Sequence, residues 1–147
     1  MKVYFDACAY NRPYDDFSQM RVRLEAEAVL AIMHICFEND WILISNDVVD
    51  LEIAETRDPS KREKVQEFSA MANEKVYADS NTAIRADELQ ALGFKALDSF
   101  HIALAESSNI DVLISTDDKM IKLANRLESK IKVRVANPLN WLSEVLL

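Results

Sequence analysis

Four acidic residues stand where the local character of this chain changes. Asp6 directly follows the apolar run Val3 to Phe5, and Asp117 follows Val112, Leu113 and Ile114 after two small hydroxyl residues. Asp98 interrupts the largely apolar passage from Phe94 to Phe100, in what the pattern predicts to be the first turn of a helix. Glu52 shares one face of a predicted short helix with Glu55. Singly, each has an ordinary explanation: a carboxylate in a first helical turn gains from the positive end of the dipole, and a glutamate on a helix face is usually solvated. Gathered at one crevice, however, they repel one another and raise their own pKa values unless cations join them. Mg²⁺ and Mn²⁺ prefer oxygen ligands, and such ions orient a phosphodiester, activate a water and stabilise the leaving oxygen. Asp6, Glu52, Asp98 and Asp117 are therefore candidate catalytic groups and candidate ligands of Mg²⁺ or Mn²⁺.

Other chemistries find few residues. Gly93 is the only glycine, which excludes phosphate-cradling and dinucleotide-binding glycine loops. The two histidines offer little for zinc or a serine triad. His101 lies three residues after Asp98, where it either orients that carboxylate or simply packs, and His34 is expected to be partly buried on a core-facing helix. Cys8 and Cys36 are 28 residues apart without metal or redox spacing, and both are expected to be buried free thiols. Asn11 and Arg12 stand beside Asp6, where they either reach a substrate phosphate or form a surface turn before Pro13.

The elements that must position these groups alternate in type. Strands are expected at Val3 to Phe5, Trp41 to Ile44, Val112 to Ser115 and Val133 to Val135. Ser18 is expected to cap a long helix whose core stripe is Val22, Ala26, Val29, Met33 and Cys36. Asn46 or Asp47 caps the helix carrying Glu52, and Asp58 with Pro59 opens another that runs to about Asn73. Further helices are expected over Thr82 to Leu92, Leu97 to Glu106 and Lys119 to Leu127, with a last one opening at Pro138. Such alternation implies an α/β fold with three layers around a parallel sheet, because parallel strands need crossover connections. In such sheets ligands collect beyond the carboxyl ends of the strands, which is where Asp6 and Asp117 fall.

At 147 residues, half of them apolar and 29% charged, the chain reads as a single domain spanning 1–147 that buries about 70% of its unfolded surface. The nearly apolar stretch from Ala26 to Phe37 is too short to span a bilayer, and the start MKVYFDACAY has no signal-peptide core, so a cytoplasmic protein without membrane contact is expected. The net charge of −8 opposes a nucleic-acid partner unless bound cations neutralise the substrate locally.

Asp6 after the first strand, Glu52, the run Leu97-Asp98-Ser99-Phe100-His101-Ile102-Ala103, the run Leu113-Ile114-Ser115-Thr116-Asp117-Asp118 and the terminal Ala136-Asn137-Pro138 together resemble the PIN-domain nucleases. Among these, the chain is most similar to the VapC-type toxins of toxin-antitoxin pairs. The resemblance implies a three-layer sandwich with about five mostly parallel strands and Mg²⁺- or Mn²⁺-dependent cleavage of RNA. It also implies a homodimer and an antitoxin partner that blocks the site. Carried over, Asp6, Asp98 and Asp117 are metal ligands, Glu52 is a ligand or positions the attacking water, and Ser115 supports the last aspartate. Packing of Met120 and Ile121 in the next helix favours Asp117 over Asp118. The chain departs from the family in having Ala7 and Cys8 where a hydroxyl residue commonly follows the first aspartate. Two alternatives stand beside this reading: a PIN-like binding module without catalysis, and a haloacid-dehalogenase-type phosphatase with Asp6 as nucleophile. The latter usually wants an aspartate where this chain has Cys8.

Overall fold

The computed structural model describes residues 1–146. Its centre is a five-stranded, wholly parallel sheet in the order β3-β2-β1-β4-β5, formed by β1 (Lys2–Phe5), β2 (Ile42–Asn46), β3 (Glu74–Val76), β4 (Val112–Ile114) and β5 (Arg134–Ala136). The inner strands are nearly continuous apolar runs, as strands covered on both faces must be. Side chains alternate across the sheet. Val3, Phe5, Leu43, Val112 and Ile114 enter one core, while Tyr4, Ile44 and Leu113 enter the other.

Eight α-helices among the described residues cover the two faces. The first core takes side chains from α1 (Ala7–Asn11), α2 (Met20–Glu38), α3 (Asp47–Ala54), α4 (Pro59–Ser69) and α8 (Pro138–Leu146). The second is closed by α5 (Ser80–Ala91), α6 (Ala96–Ser107) and α7 (Asp118–Arg126). The chain winds outward from β1 to β3, crosses back, and winds the other way from β4 to β5. Right-handed crossovers in opposite directions require opposite faces, which is how the helices divide. This is the expected three-layer α/β/α architecture, and no helix among the described residues is long and apolar enough to cross a membrane.

Most helix boundaries follow from local chemistry. Asp58 accepts from the Ser60 and Lys61 amides ahead of Pro59, and Asn46 accepts from the Val49 amide at 2.8 Å. Asp47, the alternative cap, instead receives the Ala78 amide and ties α3 to the end of β3. Gly93 follows the end of α5 with φ +116°, a conformation side chains rarely adopt.

Several expectations are corrected. The helix opened by Asp58 ends at Ser69 rather than near Asn73, because β3 needs the following residues. Ser18 does not cap α2; Gln19 holds that position without a side-chain bond, while the Ser18 amide donates to Asp16. Residues 11–14 are not a simple loop, since α1 runs into a 3₁₀ turn at Arg12–Tyr14. β3 has no signal in the sequence, being three residues with no buried side chain. It forms because its backbone pairs with β2 at the sheet edge. His34 is exposed and pairs with Glu38 at 3.1 Å.

The core stripe of α2 holds at Ala26, Val29, Met33 and Cys36, whereas Val22 is only half-buried. Beside it lies an unexpected buried charge. Glu25 is fully buried, faces Arg12 at 3.2 Å and Arg21 at 3.4 Å, and accepts a 2.5 Å hydrogen bond from Asn137 Nδ2. It joins α2 to the 3₁₀ turn and to the residue that opens α8. Removing one partner strands the other charge, so Glu25→Ala is expected to lower the unfolding free energy by about 3 kcal/mol, measured by urea denaturation.

A carboxylate crevice at the carboxyl ends of β1 and β4

The winding direction reverses between β1 and β4, and a parallel sheet opens a crevice at such a point. Pairing of Phe5 with Ile114 brings the two strand ends level, and the Asp6 amide continues the ladder by donating to the Ile114 carbonyl at 3.2 Å. Asp6 is 3% exposed. It caps α1 by accepting from the Ala9 amide at 2.9 Å. Asp117 caps α7, accepting from the Lys119 and Met120 amides at 3.0 and 3.2 Å, and its own amide donates to Ser115 Oγ at 3.1 Å. Ser115 is fully buried between the two strand-end aspartates, accepting from the Asp117 amide and helping to hold the Asp6 pKa down.

Asp98 enters from α6. It stands in the first turn of α6, where the helix dipole favours a carboxylate, but Lys95 is the N-cap residue and among the described residues the Asp98 carboxylate makes no hydrogen bond or ion pair. Half-buried in this way, its pKa rises to about 6, first through loss of hydration and then through the charges of Asp117 and Asp6; His101 and Lys95 oppose the rise. Asp6 is also pushed up, chiefly by burial, against the pull of His101, Ser115 and the Ala9 amide.

Glu52 reaches the same crevice from α3. Its Oε1 lies 2.5 Å from His101 Nε2, and its charge adds to the upward push on Asp6. His101 therefore contacts Glu52, not Asp98 as its spacing on α6 suggests. Cys8 reports the convergence of all four acids. Its thiol is pushed far up by the charge of Asp6 first, then by partial loss of hydration, and then by Glu52, Asp117 and Asp98. Both cysteines are free, but only Cys36 is buried; Cys8 is exposed beside the acids, a correction to the expected pair of buried thiols. Its placement follows from α1, which turns residue 8 away from the core that holds Ala7, Ala9 and Tyr10.

The neighbouring polar residues are committed elsewhere. Asp118 is exposed, and Arg21 grips both its oxygens at 2.7 and 2.5 Å on the outer side of α7. Asn11 Nδ2 donates to the Ala7 carbonyl, and the Arg12 guanidinium is claimed by Asp15 and Glu25. That geometry supports the turn reading of Asn11 and Arg12 over a phosphate contact. Sequence reasoning missed Tyr4, whose hydroxyl lies 2.7 Å from His101 Nδ1. Its position on β1, two residues before Asp6, was the available signal.

Oxygen donors, shared negative charge and an unpartnered half-buried carboxylate suit a hard divalent cation. Among the described residues no three His, Cys, Asp or Glu form a ready-made ligand set. Mg²⁺ does not require one, since it commonly binds through one or two carboxylates, several waters and substrate phosphates.

The sequence model of the family described as "PIN domain" matches residues 21–126, a stretch that contains Glu52, Asp98 and Asp117 but begins after Asp6. Among solved structures the chain is similar to VapBC2 from Rickettsia felis bound to a DNA fragment from its promoter, with a TM-score of 0.61 at 10% identity, covering 93% of this chain and 98% of that one. It is similar to VapBC-1 from nontypeable Haemophilus influenzae, with a TM-score of 0.61 at 12% identity over 95% and 99% of the two chains. A third likeness is to DNA-bound VapBC from Salmonella typhimurium, with a TM-score of 0.59 at 12% identity over 94% and 98%. At such identities the likeness is one of fold. No curated protein matches.

Asp98 favours its protonated form in the folded protein, with a pKa of about 6 against an ordinary value of 3.8. Its contribution to stability is therefore greatest below pH 3.8 and is lost as pH rises through about 6. With divalent ions chelated, wild-type melting temperature should fall across this window relative to Asp98→Asn, which should melt higher at neutral pH. Calorimetric scans of both proteins over a pH series measure the difference; the slope from Asp6, of the same sign, remains in both.

Proposed function

The chain belongs to the PIN-domain family, and on that premise we propose that it is a Mg²⁺- or Mn²⁺-dependent endoribonuclease, acting in the cytoplasm as the toxin of a toxin-antitoxin pair. The observation that carries this reading is the convergence of Asp6, Glu52, Asp98 and Asp117 on one crevice, where Asp98 makes no hydrogen bond or ion pair among the described residues. The VapBC complexes among the structural neighbours support an antitoxin partner, and the family resemblance supports a homodimer.

Asp6, Asp98 and Asp117 are the residues to hold the ion, with Glu52 as a further ligand or the group that orients water. When bound, the cation supplies charge neutralisation for the phosphodiester and a more acidic water. The chain's own contribution is positional. Two strand ends and two helix starts fix Asp6 and Asp117, and Ser115 Oγ accepts from the Asp117 amide. Glu52 is restrained by His101 through one oxygen, leaving the other for water. Asp117 serves in preference to Asp118, whose carboxylate is occupied by Arg21. The same arrangement reconciles a net charge of −8 with a polyanionic substrate, because positive potential resides in the bound ion rather than in surface lysines.

Single-stranded RNA should be cleaved with Mn²⁺ or Mg²⁺ and spared in chelator. Asp98→Asn and Asp117→Asn should each lower kcat by about 100-fold or more, the scale on which a preorganised charge-stabilising group acts. Asp118→Asn should retain cleavage. Equal residual activity in wild type and Asp98→Asn would mark a contaminant and defeat the nuclease reading. Mn²⁺-dependent thermal stabilisation without cleavage of any RNA would favour a catalytically silent binding module.

A further inference from the structure

Tyr4 lies on β1 two residues before Asp6, and His101 follows Asp98 by three residues on α6. Tyr4 is 0% and His101 2% exposed. Tyr4 Oη lies 2.7 Å from His101 Nδ1, and His101 Nε2 lies 2.5 Å from Glu52 Oε1. The two rings meet edge to face, 5.7 Å apart at 74°. Strand β1 and helices α6 and α3 are thereby joined by one short chain of side chains. We propose that Tyr4 is a positioning residue: its hydroxyl fixes His101 in the tautomer protonated on Nε2, and His101 then holds the Glu52 carboxylate in the acidic crevice. This rests on the proposed function only in taking Glu52 as one of the working acids.

The direction of the chain follows from donor and acceptor roles. A phenol at neutral pH carries its proton, so the buried Tyr4 hydroxyl needs an acceptor, and Nδ1 is the partner it has. Nδ1 accepts only when that nitrogen carries no proton, which places the imidazole proton on Nε2. Nε2–H then donates to Glu52. A ring protonated on Nδ1 would deprive the buried tyrosine hydroxyl of the acceptor it has, the kind of loss that buried polar groups avoid. Glu52 Oε2 accepts no hydrogen bond among the described residues. The relay therefore restrains one oxygen and leaves the second free. A glutamate on a helix surface otherwise samples many rotamers, so this restraint removes disorder from an acid that must meet water or a cation at a defined place.

The two histidines can be distinguished, because His34 is exposed and serves as a solvent-averaged reference. In the full chain with ¹⁵N-labelled histidine, long-range ¹⁵N–¹H correlation at neutral pH should show His101 protonated on Nε2 and bare on Nδ1. Tyr4→Phe, which removes one oxygen and keeps the ring, should give a mixture of tautomers. A wild-type ring protonated on Nδ1, or a Tyr4→Phe spectrum with the same single tautomer, would overturn the proposal without reference to any activity. In RNA cleavage with Mn²⁺, Tyr4→Phe should lower kcat by about 10-fold with KM unchanged, as loss of a supporting hydrogen bond does. In a His101→Gln background, where the amide can donate to Glu52 without guidance from Tyr4, the same substitution should cause no further loss. Wild-type kcat in Tyr4→Phe, or an undiminished loss in the His101→Gln background, would overturn the positioning role. Wild-type cleavage by Glu52→Gln would instead remove Glu52 from the reaction, and the tautomer spectra would still decide the relay.

Discussion

The parallel pairing of β1 with β4 is the constraint on which the rest depends. Phe5 stands level with Ile114, the Asp6 amide closes the ladder, and both chains leave the sheet at the same edge. Two carboxylates distant in sequence are then neighbours by construction. Because the winding reverses between these strands, the crossover helices divide between the two faces, and α6 and α3 bring Asp98 and Glu52 towards this edge.

That arrangement is energetically strained in a specific way. Asp6 and Asp98 are held in low hydration near other acids, and both are displaced towards their protonated forms. Some of the cost is offset by hydrogen bonds aimed at the anions, from the Ala9 amide to Asp6 and from the first turn of α7 to Asp117. Asp98 has no such compensation. An acid left without hydrogen-bonding partners keeps its oxygens available to a cation or to water, whereas a fully paired one does not.

Charge is handled differently at the second buried acid. Glu25 is deeper than any member of the crevice, yet Arg12, Arg21 and Asn137 surround it and tie three segments together. The contrast separates two settings of one functional group: a carboxylate paired with guanidinium groups fastens the fold, and Asp98 stands without an ion pair among the described residues. Arg21 also draws Asp118 outward, which keeps a fifth negative charge from being added to the crevice.

Much of this was legible in the residues themselves. Apolar runs followed by single acids located Asp6 and Asp117 at strand ends, Asp58-Pro59 and Gly93 marked helix boundaries, and alternation of strand and helix implied the layered parallel sheet. These signals are local, resting on side-chain period, capping and backbone freedom. What the sequence did not carry was pairing across the chain. β3 has no buried side chain and exists because β2 offers it a backbone partner. Spacing on α6 aimed His101 at Asp98, and only the packing of α3 against α6 turned it to Glu52. Nothing local singles out Tyr4 or Glu25, because burial and partners 97 and 112 residues away are properties of the folded sheet and its layers, not of any window along the chain.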